Sequence, residues 1–172
     1  MSHIVGAVLA GGSARRFGSD KALALVNGKP LIEHAADALR RHADSVIIVG
    51  REYPGAECVP DLPRPGQGPL GGICGALMHA SATGAQSVMT VPCDVPFPPE
   101  SLFEALAQPS CWCEDHPVFG HWRTGIAERL FEWMTFREER SVRAFAVEAG
   151  ASPIRSPKPI RDVDTPEDME QL

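Results

Sequence analysis

Short, nearly continuous apolar runs alternate along this chain with glycine- and proline-rich stretches. Ile4-Val5-Gly6-Ala7-Val8-Leu9, Val46-Ile47-Ile48-Val49-Gly50 and Ser87-Val88-Met89-Thr90-Val91 each have the form of a buried central strand. Between the first two, Leu31, Ala35, Ala38 and Leu39 recur at helical spacing, with Pro30 at the first turn. Strand, loop, helix and strand make one βαβ unit, which implies a parallel sheet with a right-handed crossover. Cys58-Val59-Pro60-Asp61 reads as a short strand ending in a carboxylate, inside a proline- and glycine-rich surface loop from Tyr53 to Gly68. Gly68-Pro69-Leu70-Gly71-Gly72 then opens a helix of small residues running to about Ala82.

Farther on, Cys111 to Glu114 and Pro117 to His121 read as two strands, followed by helices near Thr124–Met134 and Glu139–Ala149. Thr165 as N-cap and Pro166 in the first helical position announce a last helix. The pattern predicts an α/β fold of three layers, a mostly parallel open sheet with helices on both faces. No repeat, low-complexity tract or composition shift divides the chain, so residues 1–172 are expected to form a single domain.

Composition narrows the function classes. At 172 residues and 44% hydrophobic content there is enough chain for a real core. A formal charge of −6 argues against general nucleic-acid binding, so any basic patch must be local. No apolar run approaches the roughly eighteen residues of a membrane span. The N-terminus lacks the charged-then-apolar layout of a signal peptide, and a cytoplasmic protein is expected. The five cysteines, at 58, 74, 93, 111 and 113, show no disulfide framework and read as free thiols. Cys111-Trp112-Cys113 with His116 nearby has some character of a zinc site, but alternation along a strand accounts for it more simply. The histidines show neither metal spacing nor a nucleophile partner.

The local basic patch follows the first strand. Leu9-Ala10-Gly11-Gly12-Ser13 leads to Arg15, Arg16 and Lys21. Glycines admit close backbone approach, successive N–H groups make an anion nest, and the cations match phosphate oxygens. A polyphosphate suits such a loop, although an ordinary turn with solvated cations has the same letters. Neither the Walker A pattern nor Gly-x-Gly-x-x-Gly is present. A second anion-favouring position is the start of the helix at Pro69, where Gly72, Gly75 and Ala76 also suit close packing on a sheet. Asp94, in Pro92-Cys93-Asp94-Val95-Pro96, lies just past a buried strand, where open α/β sheets bind ligands. It is placed to ligate Mg²⁺ beside phosphates, or alternatively to cap the turn before the helix near Pro99.

Leu9-Ala10-Gly11-Gly12-x-x-Arg15-Arg16-Phe17-Gly18-x-Asp20-Lys21-x-Leu23, with Asn27-Gly28-Lys29-Pro30-Leu31, resembles the opening of the molybdenum cofactor guanylyltransferases, Rossmann-like nucleotidyltransferases. The likeness extends over nearly the whole chain, through 59–72, 91–96 and 160–168. It implies transfer of GMP from GTP to molybdopterin carrying molybdenum, with release of pyrophosphate. Transient contacts with proteins that deliver and accept the cofactor go with that role. It also implies Arg15, Lys21 and Asp94 as catalytic residues. Backbone groups of Leu9, Ala10 and Gly11 would meet the nucleotide together with Gly12, Ser13, Lys21 and Asp94, and Asp61 would lie on the nucleoside side. Asp94 would be the ligand of Mg²⁺, or of Mn²⁺ in its place.

Two departures from the family pattern stand out. Some members carry Asn at the end of the second strand where this chain has Val49-Gly50, which removes a side-chain contact to the base. Members commonly read Asn-x-Asn-Thr-Pro where this chain has Asp162-Val163-Asp164-Thr165-Pro166. Asp164 is therefore a candidate second metal contact, or else a carboxylate favouring the positive end of the last helix. His116-Pro117 matches a family dipeptide, and Glu139-Arg140-Ser141-Val142-Arg143 a family helix start. Arg140 and Arg143 fit solvated surface better than an anion site. A nucleotidyltransferase using CTP or acting on a sugar phosphate, and a non-catalytic nucleotide-binding module, are the other classes to be weighed.

Overall fold

The computed structural model describes residues 3–12 and 20–172. Strands β1 (Ile4–Leu9), β4 (Ser45–Val49), β5 (Glu57–Val59), β6 (Ser87–Pro92), β7 (Cys111–Cys113), β8 (Gly120–Arg123) and β9 (Ser152–Ile154) form one sheet, ordered β5-β4-β1-β6-β8-β7-β9. Only β8 runs against its neighbours; every other pair is parallel. The expected mostly parallel α/β sheet is thus present. A separate hairpin of β2 (Leu25–Val26) and β3 (Lys29–Pro30) turns at Asn27 and Gly28, both with positive φ. That is the conformation an Asn-Gly pair accepts most readily.

Both faces of the sheet are covered. Val5, Ala7, Ile47, Val49 and Val88 point to one side, where α2 (Pro69–Ala82), α4 (Ala127–Phe136) and α5 (Val142–Glu148) bury Leu70, Ile73, Leu77, Leu130 and Phe145. Val8, Ile48, Met89 and Val91 point to the other, against Ile32, Ala35 and Leu39 of α1 (Leu31–Arg40) and Leu102 and Phe103 of α3 (Glu100–Ala105). This two-sided burial is why β1, β4 and β6 are continuous apolar runs and do not alternate. The last helix, α6 (Pro166–Met169), has a capping box between Thr165 and Asp168.

Local details differ from the sequence pattern where proline or edge position intervenes. Pro30 precedes α1 as its N-cap. The strand expected over 117–121 lies later, at Gly120–Arg123, because Pro117 has no N–H for a central ladder. The helix expected from 124 begins as a 3₁₀ turn, Thr124–Ile126, before α4. β9 was not apparent in the sequence: it is three residues long, contains Pro153 and forms the sheet edge, the place where proline is tolerated. Among the described residues no helix is long and apolar enough to cross a membrane. Cys111 and Cys113 are buried thiols on β7, and no three His, Cys, Asp or Glu among the described residues gather as a metal cluster.

Candidate active site

From β1 the chain steps outward to β4 and β5 and then returns through α2 to β6 on the other side of β1, and ligands of open sheets bind at such a switch point, beyond the carboxyl strand ends. A cavity of about 630 Å³ lies there. Backbone hydrogen bonds continue past the strand ends, Ala10 N–H to Val49 O (2.9 Å), Gly50 N–H to Val59 O (2.9 Å) and Cys93 N–H to Leu9 O (3.1 Å). The segments Leu9–Gly12, Gly50 and Pro92–Asp94 are therefore held side by side as extensions of the ladder.

The cavity is lined by Leu9, Ala10, Gly11, Gly12, Asp61, Gly68, Pro69 and Gly72. Asp61 sits on the loop after β5, packed so closely that only glycines can face it. A β-carbon on Gly11 would lie 2.9 Å from its Oδ2, and one on Gly50 2.7 Å from its Oδ1. Helix α2 approaches the same loop through Gly75, where a β-carbon would lie 2.1 Å from Pro60 O. Burial raises the Asp61 carboxyl above its ordinary pKa, as expected for an acid moved out of water.

The cavity is also lined by Asp20, Lys21, Ala22, Cys93, Asp94, His116, Val118, Asp164 and Thr165. Lys21 Nζ donates to Asp94 Oδ2 at 3.1 Å and to Asp164 Oδ1 at 2.9 Å. Burial works against the ammonium, but the hydrogen bonds and charges of Asp164 and Asp94 outweigh it and hold Lys21 above its usual pKa. Asp164 reaches this point because Val163 is buried against Val26 and Leu31, and its N–H donates to Asp94 O at 2.8 Å. Its carboxylate does not cap α6, a role taken by Thr165 and Asp168. Asp94 Oδ1 is buried with no hydrogen-bond partner among the described residues. Next to it, burial first and the charge of Asp94 second push the Cys93 thiol up to about 12, so it stays protonated and is no nucleophile.

Lys21, Asp61, Asp94 and Asp164 thus meet at one cavity with the Leu9–Gly12 backbone, while Ser13, Arg15 and Arg16 lie outside the described residues. Arg140 and Arg143 are not part of this cavity; Arg143 is exposed, as expected of surface, whereas Arg140 is half-buried. Arg140 donates to Gln67 Oε1 and to the carbonyls of Met134, Arg137 and Glu139, and Arg143 donates to Glu114 O and stacks on Trp112. Sequence reasoning passed over Val118 and Thr165 and left His116 as a structural dipeptide. The only signal for this wall is the strand–turn–strand pattern around His116-Pro117.

Residues 6–149 match the MobA-like NTP transferase domain. A molybdenum cofactor guanylyltransferase from Rhizobium johnstonii is 34% identical over 98% of this chain and 90% of its own length. One from Rhodobacter capsulatus is 34% identical over 97% and 93%. The crystal structure of molybdopterin-guanine dinucleotide biosynthesis protein A from Archaeoglobus fulgidus has the same fold, with a TM-score of 0.74 at 22% identity over 97% of this chain and 95% of that one. A cavity at the β1/β6 switch point, glycine-floored and carrying a lysine between two aspartates, accords with these matches: the chain is a nucleotidyltransferase and belongs to the molybdenum cofactor guanylyltransferase family.

Proposed function

We propose that the chain, acting as one domain of residues 1–172, transfers GMP from GTP to molybdopterin carrying molybdenum. Mg²⁺ would assist, and pyrophosphate would leave. The observation that carries this reading is Lys21, shared between Asp94 and Asp164 at the mouth of the glycine-lined cavity. A kept positive charge next to two carboxylates is the arrangement a triphosphate and a divalent ion need together. The donor set suits Mg²⁺, since Asp94 Oδ1 is buried and has no partner among the described residues. Asp164, 70% exposed, is readily turned from Lys21 to an ion or its waters. When bound, the ion would neutralise phosphate charge and the charge that develops on the leaving pyrophosphate.

The chain's own residues have defined tasks in this reading. N–H groups of the Leu9–Gly12 segment hold phosphates, and Asp61 takes the nucleoside side. Lys21 hydrogen-bonds the triphosphate, and the likeness to the family gives Arg15 a catalytic role as well. A phosphate oxygen of the pterin attacks the α-phosphorus, the new P–O bond forms, and the bond to the β-phosphate oxygen breaks. No protein nucleophile is required, so positioning and electrostatics carry the rate.

A second reading is favoured by Gly50. With no side chain at that position, recognition of the base falls to backbone groups, and a cytidylyl transfer on the same frame becomes the competitor. Thermal shifts with GTP, ATP, CTP and UTP, each with Mg²⁺, separate the two. GTP is expected to stabilise most; a larger shift with CTP moves the assignment to cytidylyl transfer.

A further inference from the structure

Asp20 immediately precedes Lys21, and Arg51 immediately follows Gly50. Their side chains form a two-pronged ion pair, Arg51 Nη1 to Asp20 Oδ1 at 2.7 Å and Arg51 Nη2 to Asp20 Oδ2. Asp20 occupies the N-cap position of the 3₁₀ turn Lys21–Leu23, a place where aspartate ordinarily binds the backbone, yet it makes no side-chain cap. Its carboxylate is given to Arg51, whose hydrogen bond lowers the Asp20 pKa despite some burial. Arg51 is in turn fixed at the rim, because Gly50 is wedged against the Gly11 backbone and its N–H is bound to Val59 O. A planar guanidinium gripping a carboxylate through two bonds sets orientation as well as distance.

We propose that Arg51 is a positioning residue: by gripping Asp20 it holds the backbone from which Lys21 reaches into the cavity. Two carboxylates hold the lysine's charged end, Arg51 the start of its turn. When a triphosphate draws the ammonium away from Asp94 and Asp164, the grip on Asp20 is what keeps the side chain aimed at the phosphates. Arg51 itself need not touch the nucleotide, since both its terminal nitrogens are engaged by Asp20. The inference rests on Lys21 being a triphosphate contact.

The test is a double-mutant cycle on the intact chain, read as calorimetric affinity for GTP with Mg²⁺ and as the separate kcat and KM of cofactor formation. Arg51→Ala is expected to weaken GTP binding at least about tenfold, a displaced group being costly even when chemically intact. Asp20→Asn should do the same from the other side of the pair, and Arg51→Lys should restore only part, because an ammonium cannot make the planar fork. In a Lys21→Ala background, Arg51→Ala should change affinity by no more than about twofold, the spread of non-interacting sites. Equal losses with and without Lys21 would overturn the proposal and make Arg51 an independent contact or a general prop. Wild-type affinity in both Arg51→Ala and Asp20→Asn, with melting temperature unchanged, would overturn it as well. If Lys21→Ala alone leaves GTP affinity intact, the triphosphate role of Lys21 fails first and takes the inference with it.

Discussion

Gly50 lies with its backbone against that of Gly11: a β-carbon on Gly50 would come 2.6 Å from Gly11 Cα and 2.9 Å from Gly11 N. The contact joins the end of β4 to the loop after β1, and the Asp61 carboxylate is packed over both.

The closeness gives a first prediction. Gly50 has φ +86 as well as no room for a side chain, so Gly50→Ala meets both strain and a clash. The backbone cost alone is about 1–3 kcal/mol. Denaturant titration should show at least that loss of stability, and a variant as stable as the parent would mean the two segments can part freely.

Lys21→Ala should weaken GTP binding while leaving the fold in place, because the side chain joins two carboxylates of the cavity wall and supports no apolar core. Loss of one charged hydrogen bond to phosphate is worth roughly 1.5–3 kcal/mol, about ten- to a hundredfold in affinity. An unchanged calorimetric titration would take the lysine out of the phosphate site.

Asp94→Asn should harm turnover more than nucleotide binding, since the ion it would hold acts chiefly on charge developing in the transition state. Wild-type rates of cofactor formation across a Mg²⁺ titration would exclude the ligand role. Asp164→Asn tests the second contact by Mn²⁺ binding: an unchanged affinity of the protein–nucleotide complex for Mn²⁺ would leave Asp164 only its ion pair with Lys21.

Asp61 supplies a pH signature. Its pKa is raised by burial above the ordinary 3.8, so the folded chain holds this proton more tightly than the unfolded chain does. Stability from this group therefore falls as pH rises from 3.8 through the folded value, and above it the full cost remains. Asp61→Asn should lose that slope and melt higher than the parent at neutral pH, while binding nucleotide more weakly. A parallel pair of melting-temperature profiles from about pH 3.8 upward would show that the carboxylate is not under strain.

The layers of the fold and the glycine-lined part of the cavity were legible because each depends on local pattern. Val46–Val49 and Ser87–Val91 announce buried strands by composition, and Gly68-Pro69 announces a helix start by backbone geometry. What escaped notice depends on distance. Nothing in the neighbourhood of Arg51 signals a partner 31 positions earlier, and Arg140 among acidic neighbours looks solvated until its carbonyl partners are seen. Asp164 is an intermediate case. Its departure from the family's Asn-x-Asn-Thr-Pro pattern marked it as a candidate second metal contact, whereas its bond to Lys21 arises from the burial of Val163, which only tertiary packing determines.

The reversed direction of β8 has a consequence for how this architecture can change. Because β7 and β8 are antiparallel neighbours, residues 114–119 between them form the tip of a hairpin, and no helical crossover is needed. That tip carries His116 and Val118 to the cavity wall. Hairpin tips accept longer and shorter versions without disturbing the strands that bear them. The wall at 114–119 is therefore the segment to exchange when an engineered transferase is to accept a different phosphorylated partner. Grafts there leave the closely fitted glycine floor untouched.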